Sequence, residues 1–307
     1  MLDFPKEFFL GETRSDFYVE PMMKCAWAAQ LEVLAVIERI CNKYGIRYFA
    51  DWGTLLGAVR HKGFIPWDDD TDICMLREDF DRFIAVAEKE LPEDHHLFSI
   101  DTNRNWTQFF ARIINASSID FSSQRLQRSH GCPYVVGVDI FPLDTVPEDP
   151  QLEETFTAYF AAIYQTGANF RRISSEIDEL LPDLEECYHI KIDRNGDIQN
   201  QLLRYAQLVA KSYQDSGSPV LAELSSHVSD NRLFRKEWYR DCVFLPFEYF
   251  ELPAPIDYDA VLTTQFDDYM TPVRYSASHD YPFYKKQQEL FKQSLIESLT
   301  DDSLSDI

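Results

Sequence analysis

The chain has 307 residues and carries 52 Asp+Glu against 29 Lys+Arg, a net charge of −23. That balance excludes function by broad attachment to nucleic acid or to an anionic membrane, because both need a basic field that displaces counterions from phosphates. With 45% hydrophobic and 14% aromatic residues the chain has ample material for a core, and disorder is excluded as its main state.

The opening stretch MLDFPKEFFLGETRSDFYVE is acidic and lacks a basic segment followed by an apolar run, so no signal peptide is expected. No run of about eighteen uncharged apolar residues follows, and no membrane-spanning helix is expected. A soluble cytoplasmic protein is the resulting expectation. The six cysteines include no CxxC pair, which leaves neither a zinc ribbon nor a thioredoxin-type motif.

Taken in chain order, Trp27, Leu31, Leu34, Ile37 and Ile40 recur at helical spacing and Gly45 follows, so the pattern predicts a helix over 21–44. Residues 46–50 read as a strand running into a tight turn at Asp51-Trp52-Gly53-Thr54, and Gly57, Gly63 and Pro66 then mark a loop. A second strand is expected at 70–75, and a helix at 78–91 closed by Pro92. Short apolar runs at 109–114 and 134–141 read as further strands. The order gives an α+β core with an α/β-type sheet over 1–150, a helical insertion over 151–240, and a C-terminal segment over 241–307 that completes the core and covers the site. A last helix is expected over 284–299, before an acidic tail from Asp301. Asp193 to Asp197 begins like a calcium loop but lacks its glycine and final glutamate, so it reads as a turn. His95-His96 point apart and make a poor metal pair. No nucleophile elbow or P-loop occurs.

The most unusual local feature is Trp67-Asp68-Asp69-Asp70-Thr71-Asp72. On an extended chain Asp68, Asp70 and Asp72 share a face and Asp69 takes the other. Such hard oxygen ligands suit Mg²⁺ or Mn²⁺ when substrate phosphates complete the shell, and the alternative is a solvated acidic loop. Just upstream, Gly53-Thr54 offers backbone N–H groups to a phosphate, and Arg60-His61-Lys62 adds donors and charge. Metal and phosphate sites would thus be adjacent.

The stretch Tyr48 to Met75, YFADWGTLLGAVRHKGFIPWDDDTDICM, resembles the signature of the LicD family of phosphocholine transferases, related to fukutin and fukutin-related protein. The resemblance continues in Asp139-Ile140-Phe141-Pro142-Leu143-Asp144, in 266–272 and in His279-Asp280-Tyr281-Pro282. It implies a nucleotidyltransferase-like mixed sheet flanked by helices, with a Gly-Thr turn at Gly53-Thr54, an Asp-x-Asp pair at Asp70 and Asp72, and a third carboxylate at Asp139. Two departures stand out: Trp52 where small residues are common, and Phe266-Asp267-Asp268 where Tyr-Gly-Asp is frequent.

The implied reaction is transfer of a phospho-alcohol, such as phosphocholine from CDP-choline, to a hydroxyl of a cell-surface glycan or its precursor, with CMP leaving. Asp70 and Asp72 would hold Mg²⁺ (or Mn²⁺), with Asp68 as a further ligand. Asp139 would complete the metal site or act as base. Arg60, His61 and Lys62 would bind the diphosphate, although His61 also suits a structural role. Arg112 is a weaker phosphate-binding candidate whose alternative is a salt bridge to a nearby acid. If the alcohol is choline, Tyr269, Tyr275, Tyr281, Phe283 and Tyr284 supply aromatics for a cage; ribitol or glycerol phosphate would need none. The competing readings are a nucleotidyltransferase adding NMP to a sugar, small molecule or protein, and a non-catalytic binding protein on the same fold.

Overall fold

The computed structural model describes residues 1–274 and 281–302. After a short hairpin of β1 (Glu12–Arg14) and β2 (Phe17–Val19) come α1 (Pro21–Tyr44), β3 (Phe49–Ala50), α2 (Trp52–His61), β4 (Asp72–Leu76), α3 (Arg77–Glu90), β5 (His96–Phe98), β6 (Ala111–Ile114), α4 (Ser123–Arg128) and β7 (Gly137–Val146). The chain continues through α5 (Pro150–Ala168), α6 (Ile177–Tyr188), α7 (Ile198–Lys211), β8 (Val220–Ala222), α8 (Leu224–Asp230) and β9 (Phe234–Arg235). It ends with the hairpin β10 (Cys242–Phe247) and β11 (Phe250–Pro255), then α9 (Tyr258–Phe266) and α10 (Tyr284–Asp302).

The central sheet is mixed and flanked by helices, in the order β3-β4-β7-β6-β5, with β8 and β9 added through β7. β4 and β7 run parallel, whereas β3–β4, β6–β7 and β5–β6 are antiparallel. The long strand β7 therefore touches three neighbours and acts as the spine. The expected α+β architecture is what forms.

Helix α1 begins with Pro21 in its first turn, where a missing N–H costs nothing, and stops at Gly45, whose φ of 61° is the left-handed conformation glycine tolerates. Trp27, Leu31, Leu34 and Ile37 are fully buried along it and pack with Ile73, Ile113, Val138 and Ile140 of the sheet. A second apolar cluster joins Phe156, Phe160 and Ile163 of α5 to Leu202, Leu203 and Ala206 of α7. The segment 151–240 holds most of α5 and all of α6, α7 and α8, and also β8 and β9, strands too short for a period-2 pattern to show in the sequence. Among the described residues, no helix is long and apolar enough to cross a membrane.

One expectation at the site fails. The tight turn and loop read from Asp51 to Gly63 are instead the helix α2, so the order is helix, strand, helix, loop, strand, helix. Gly53 and Gly57 lie within that helix. Gly57 is needed there because a side chain would strike the Gly63 carbonyl of the returning chain.

Candidate active site

Asp51 is the N-cap of α2; its carboxylate accepts from the Trp52 N–H at 3.0 Å and from Gln265 Nε2 at 2.7 Å. Burial pushes this carboxyl up to about 6, against the hydrogen bonds that hold it down. Trp52 follows with φ 43°, and its ring meets Phe266 edge-on at 6.2 Å and the Arg232 guanidinium at 5.4 Å. Those contacts offset the strain of a bulky residue in the left-handed region. Gly53 then has no room for a side chain: a Cβ would overlap Asp68 Oδ2. Thr54 Oγ1 accepts from the Asp72 N–H at 2.8 Å, and the Asp51 N–H donates to the Asp72 carbonyl at 3.1 Å. The first turn of α2 is thereby fastened to the start of β4.

β4 lies parallel to β7 in a register that sets Asp72 opposite Asp139, and β6 sets Arg112 opposite Asp139 from the other side. Register partners put their side chains on one face, so three ionisable groups stand in a row across the sheet. Arg112 reaches both carboxylate oxygens of Asp139, through Nε and, at 2.5 Å, through Nη2. The salt bridge left open in the sequence reading is therefore formed.

Asp68 and Asp70 occupy the irregular run before β4 rather than a strand. Removal from water first, and then the charge and hydrogen bond of Asp70, push Asp68 well above the ordinary carboxylate range. Asp72 is raised likewise, by burial and then by Asp70, Asp139 and Asp68. The four carboxylates thus feel one another, as a shared site requires. Among the described residues, no three His, Cys, Asp or Glu side chains are gathered as a ready cage for a metal. Mg²⁺ does not require one, because it is commonly held by one or two carboxylates with substrate phosphates and water. Asp70 and Asp72 fit that donor set.

Asp69 faces away from this group. It is buried, its Oδ2 accepts from the Phe283 N–H at 2.6 Å, and its carbonyl accepts from Gln30 Nε2 at 2.6 Å. Gln30 Oε1 in turn accepts from Thr71 Oγ1 at 2.7 Å. Gln30 escaped the sequence reading, although a polar residue inside the apolar stripe of α1 was a signal.

The basic triplet sits elsewhere than a turn beside the acids. At about 1.5 Å per residue, Arg60 lies roughly 10 Å further along α2 than Gly53. Its Nη1 donates to the Tyr269 carbonyl at 2.7 Å. His61 is half-buried, stands edge-on to Trp67 at 6.1 Å, and is held neutral, pushed down to about 4 by burial and then by the nearby charges of Arg60 and Arg14. Lys62 is the exposed C-cap of the helix, with φ 56°.

The C-terminal aromatics also disperse. Tyr281 donates to the Pro66 carbonyl at 3.2 Å and lies edge-on to Phe17, which meets Trp67. Tyr284 stacks on Tyr134, Tyr269 donates to Asp259, and Phe283 enters through its backbone. Tyr275, like His279 and Asp280 of the C-terminal motif, lies outside the described residues, as do 303–307 of the acidic tail.

Residues 45–160, which carry the α2 turn, the acid run and Asp139, match the model for the LicD/FKTN/FKRP nucleotidyltransferase domain. This part of the chain is similar to the nucleotidyltransferase domain of the LicD/FKTN/FKRP group. Over 123 residues it is 34% identical to the lipopolysaccharide cholinephosphotransferase LicD of Haemophilus influenzae, covering 40% of this chain and 44% of that protein. It is 35% identical over 71 residues to the human ribitol 5-phosphate transferase FKRP, covering 23% and 14% respectively. A 40-residue match at 55% identity links it to the uncharacterized protein RP689 of Rickettsia prowazekii, covering 13% of this chain and 15% of that protein. Each match spans less than half the length of the relative. Within the matched segment the second acid of the DIFPLD stretch, Asp144, is fully buried and bidentate to Arg77 at 2.6 and 2.7 Å, a pairing inside the fold rather than at the site.

Proposed function

We propose that the protein transfers a phospho-alcohol from a CDP-activated donor to a hydroxyl of a cell-surface glycan or its precursor, releasing CMP. The observation that carries this reading is the Asp72–Asp139 register pair, with Asp68 and Asp70 beside it at the N-terminal turn of α2. Phosphocholine is the favoured cargo. Its support is the relative named a lipopolysaccharide cholinephosphotransferase, together with the Phe17–Trp67 aromatic pair next to Asp68, where the Arg274 guanidinium stacks on Trp67 at 4.9 Å. A surface that accepts one delocalised cation suits a quaternary ammonium.

Asp70 and Asp72 would hold Mg²⁺ (or Mn²⁺), with Asp68 adjacent. When bound, the ion neutralises diphosphate charge and so favours departure of CMP. The protein's own residues do the rest. Thr54 fixes the backbone of Asp72, Gly53 lets the Asp68 carboxylate lie against α2, and Gln30 anchors the acid run from behind. Arg112 orients Asp139, which would receive the acceptor hydroxyl's proton or serve as a ligand. Arg60, near the far end of α2, would meet the distal part of the donor, and a neutral His61 would act there through hydrogen bonding rather than charge.

The deciding experiment incubates the purified protein and Mg²⁺ with CDP-choline, CDP-ribitol, CDP-glycerol or NTPs, with and without glycan acceptors. Acceptor-dependent CMP release from one CDP-alcohol is expected. Pyrophosphate release from an NTP would replace this reading with nucleotidyl transfer.

A further inference from the structure

The Arg274 guanidinium lies 4.9 Å from the centre of the Trp67 ring and 5.8 Å from that of Phe17. Phe17 meets Trp67 edge-on at 6.1 Å, and Tyr281 adds a third ring at 5.3 Å from Phe17. Trp67 immediately precedes Asp68, so the aromatic cluster borders the acid run. Burial first, and then the charges of Asp69, Glu20 and Asp68, push the Tyr281 phenol up, which sets the rings within electrostatic reach of those carboxylates. Ring faces in such a field favour a cation.

The hold on Arg274 is weak by comparison with its counterparts elsewhere in the fold. Among the described residues, five arginines lie over aromatic rings: Arg14, Arg77, Arg112, Arg232 and Arg274. The first four are each fixed by a carboxylate, respectively Glu248, Asp144, Asp139 and Asp230. Arg274 has no such partner among the described residues. Its side chain is exposed, and besides the rings it has one hydrogen bond, from Nη2 to the Ser15 carbonyl at 2.7 Å. A guanidinium without a counter-charge, kept in place by ring faces, can be exchanged for another cation at little cost.

We propose, resting on phosphocholine as the donor's cargo, that Arg274 is a specificity-determining residue: its guanidinium fills the cation seat on Phe17 and Trp67 and yields it to the donor's quaternary ammonium. A neutral alcohol such as ribitol or glycerol gains no comparable attraction from the rings and the nearby carboxylates, so it leaves Arg274 in place.

The test uses choline alone as the probe, so that no turnover is needed. Full-length wild type, Arg274→Gln and Arg274→Ala are titrated with choline and with its uncharged tert-butyl isostere, and affinity is read by saturation-transfer NMR on the methyl signal. Both variants should bind choline about threefold to fivefold more tightly than wild type, the gain expected when a competitor held by an exposed cation–π contact is removed. The isostere should bind all three proteins more weakly than choline does. In wild type labelled with ¹⁵N-arginine, the Arg274 Nε–H signal, assigned by its loss in Arg274→Gln, should move as choline saturates, because the guanidinium leaves the ring faces. Saturable choline binding of equal or lower affinity in the variants, or an Arg274 signal that stays fixed at saturation, would overturn the inference while leaving the phosphocholine reading in place. Absence of saturable choline binding in all three proteins would instead remove phosphocholine as the cargo, and the role of Arg274 with it.

Discussion

Asp72 and Asp139 stand side by side as register partners of the parallel strands β4 and β7, although 66 residues separate them in the chain. Arg112 grips Asp139 from the opposite neighbour, and Thr54 holds the Asp72 backbone from α2. If this arrangement is the reaction centre, Asp70→Asn, Asp72→Asn and Asp139→Asn should each lower kcat for CMP release by about 100-fold or more. Their far-UV circular dichroism should remain that of the wild type. Wild-type turnover in any of the three would remove that residue from the site.

Gly53 is the narrowest point between α2 and the acid run. In Gly53→Ala the new methyl displaces the Asp68 carboxylate, while alanine itself favours the helix. The expected result is a kcat lowered by about tenfold or more through misplacement of an acid. Its thermal midpoint should stay close to that of the wild type. A large drop in the midpoint with proportionate loss of activity would instead mark Gly53 as purely structural.

Arg77 and Asp144 form a bidentate pair with both side chains almost wholly buried, at 3% and 0% exposure. Asp144→Ala leaves the buried guanidinium with only the longer contact to Asp81 at 3.6 Å, which costs about 3 kcal/mol. Urea unfolding should report that loss. The double change Arg77→Met with Asp144→Leu should recover most of it, since no lone buried charge then remains.

His61 tests the linkage between pH and stability. The folded ring binds its proton only near pH 4, whereas the unfolded chain binds it near the ordinary value of 6.5. Between those values the unfolded state holds more protons, so acid lowers stability as pH falls from 6.5 towards 4, and above 6.5 the contribution is flat. Because the ring is half-exposed, solvent screening keeps the effect small. NMR titration should show His61 neutral at pH 5.5, and His61→Gln should flatten the acid limb of the stability profile. A His61 titration midpoint near 6.5 would contradict the environment described for it.

Much of the frame was legible in the chain. The apolar stripe of Trp27, Leu31, Leu34 and Ile37 with Gly45 after it specifies α1, and helical spacing at Phe80 and Phe83 specifies α3, because 3.6-residue periodicity is a local property. The acid run and the DIFPLD segment were legible as well, since their residue types are unusual wherever they fold. The helix from Trp52 to His61 was missed: Gly53 and Gly57 carry a turn signal, and only the close approach of Asp68 and of the Gly63 carbonyl explains why glycine occupies a helix there.

The sequence by itself determined helices such as α1 and α3, the supply of carboxylates and the family resemblance. The tertiary structure alone decided which charges meet. Asp139 lies between Arg112 and Asp72 because β6 and β4 flank β7, and strand order is a long-range outcome that no local pattern encodes. In the same way α2 carries Arg60, His61 and Lys62 away from Gly53 because a helix spaces residues along an axis, whereas the bare sequence leaves them as neighbours of the acids.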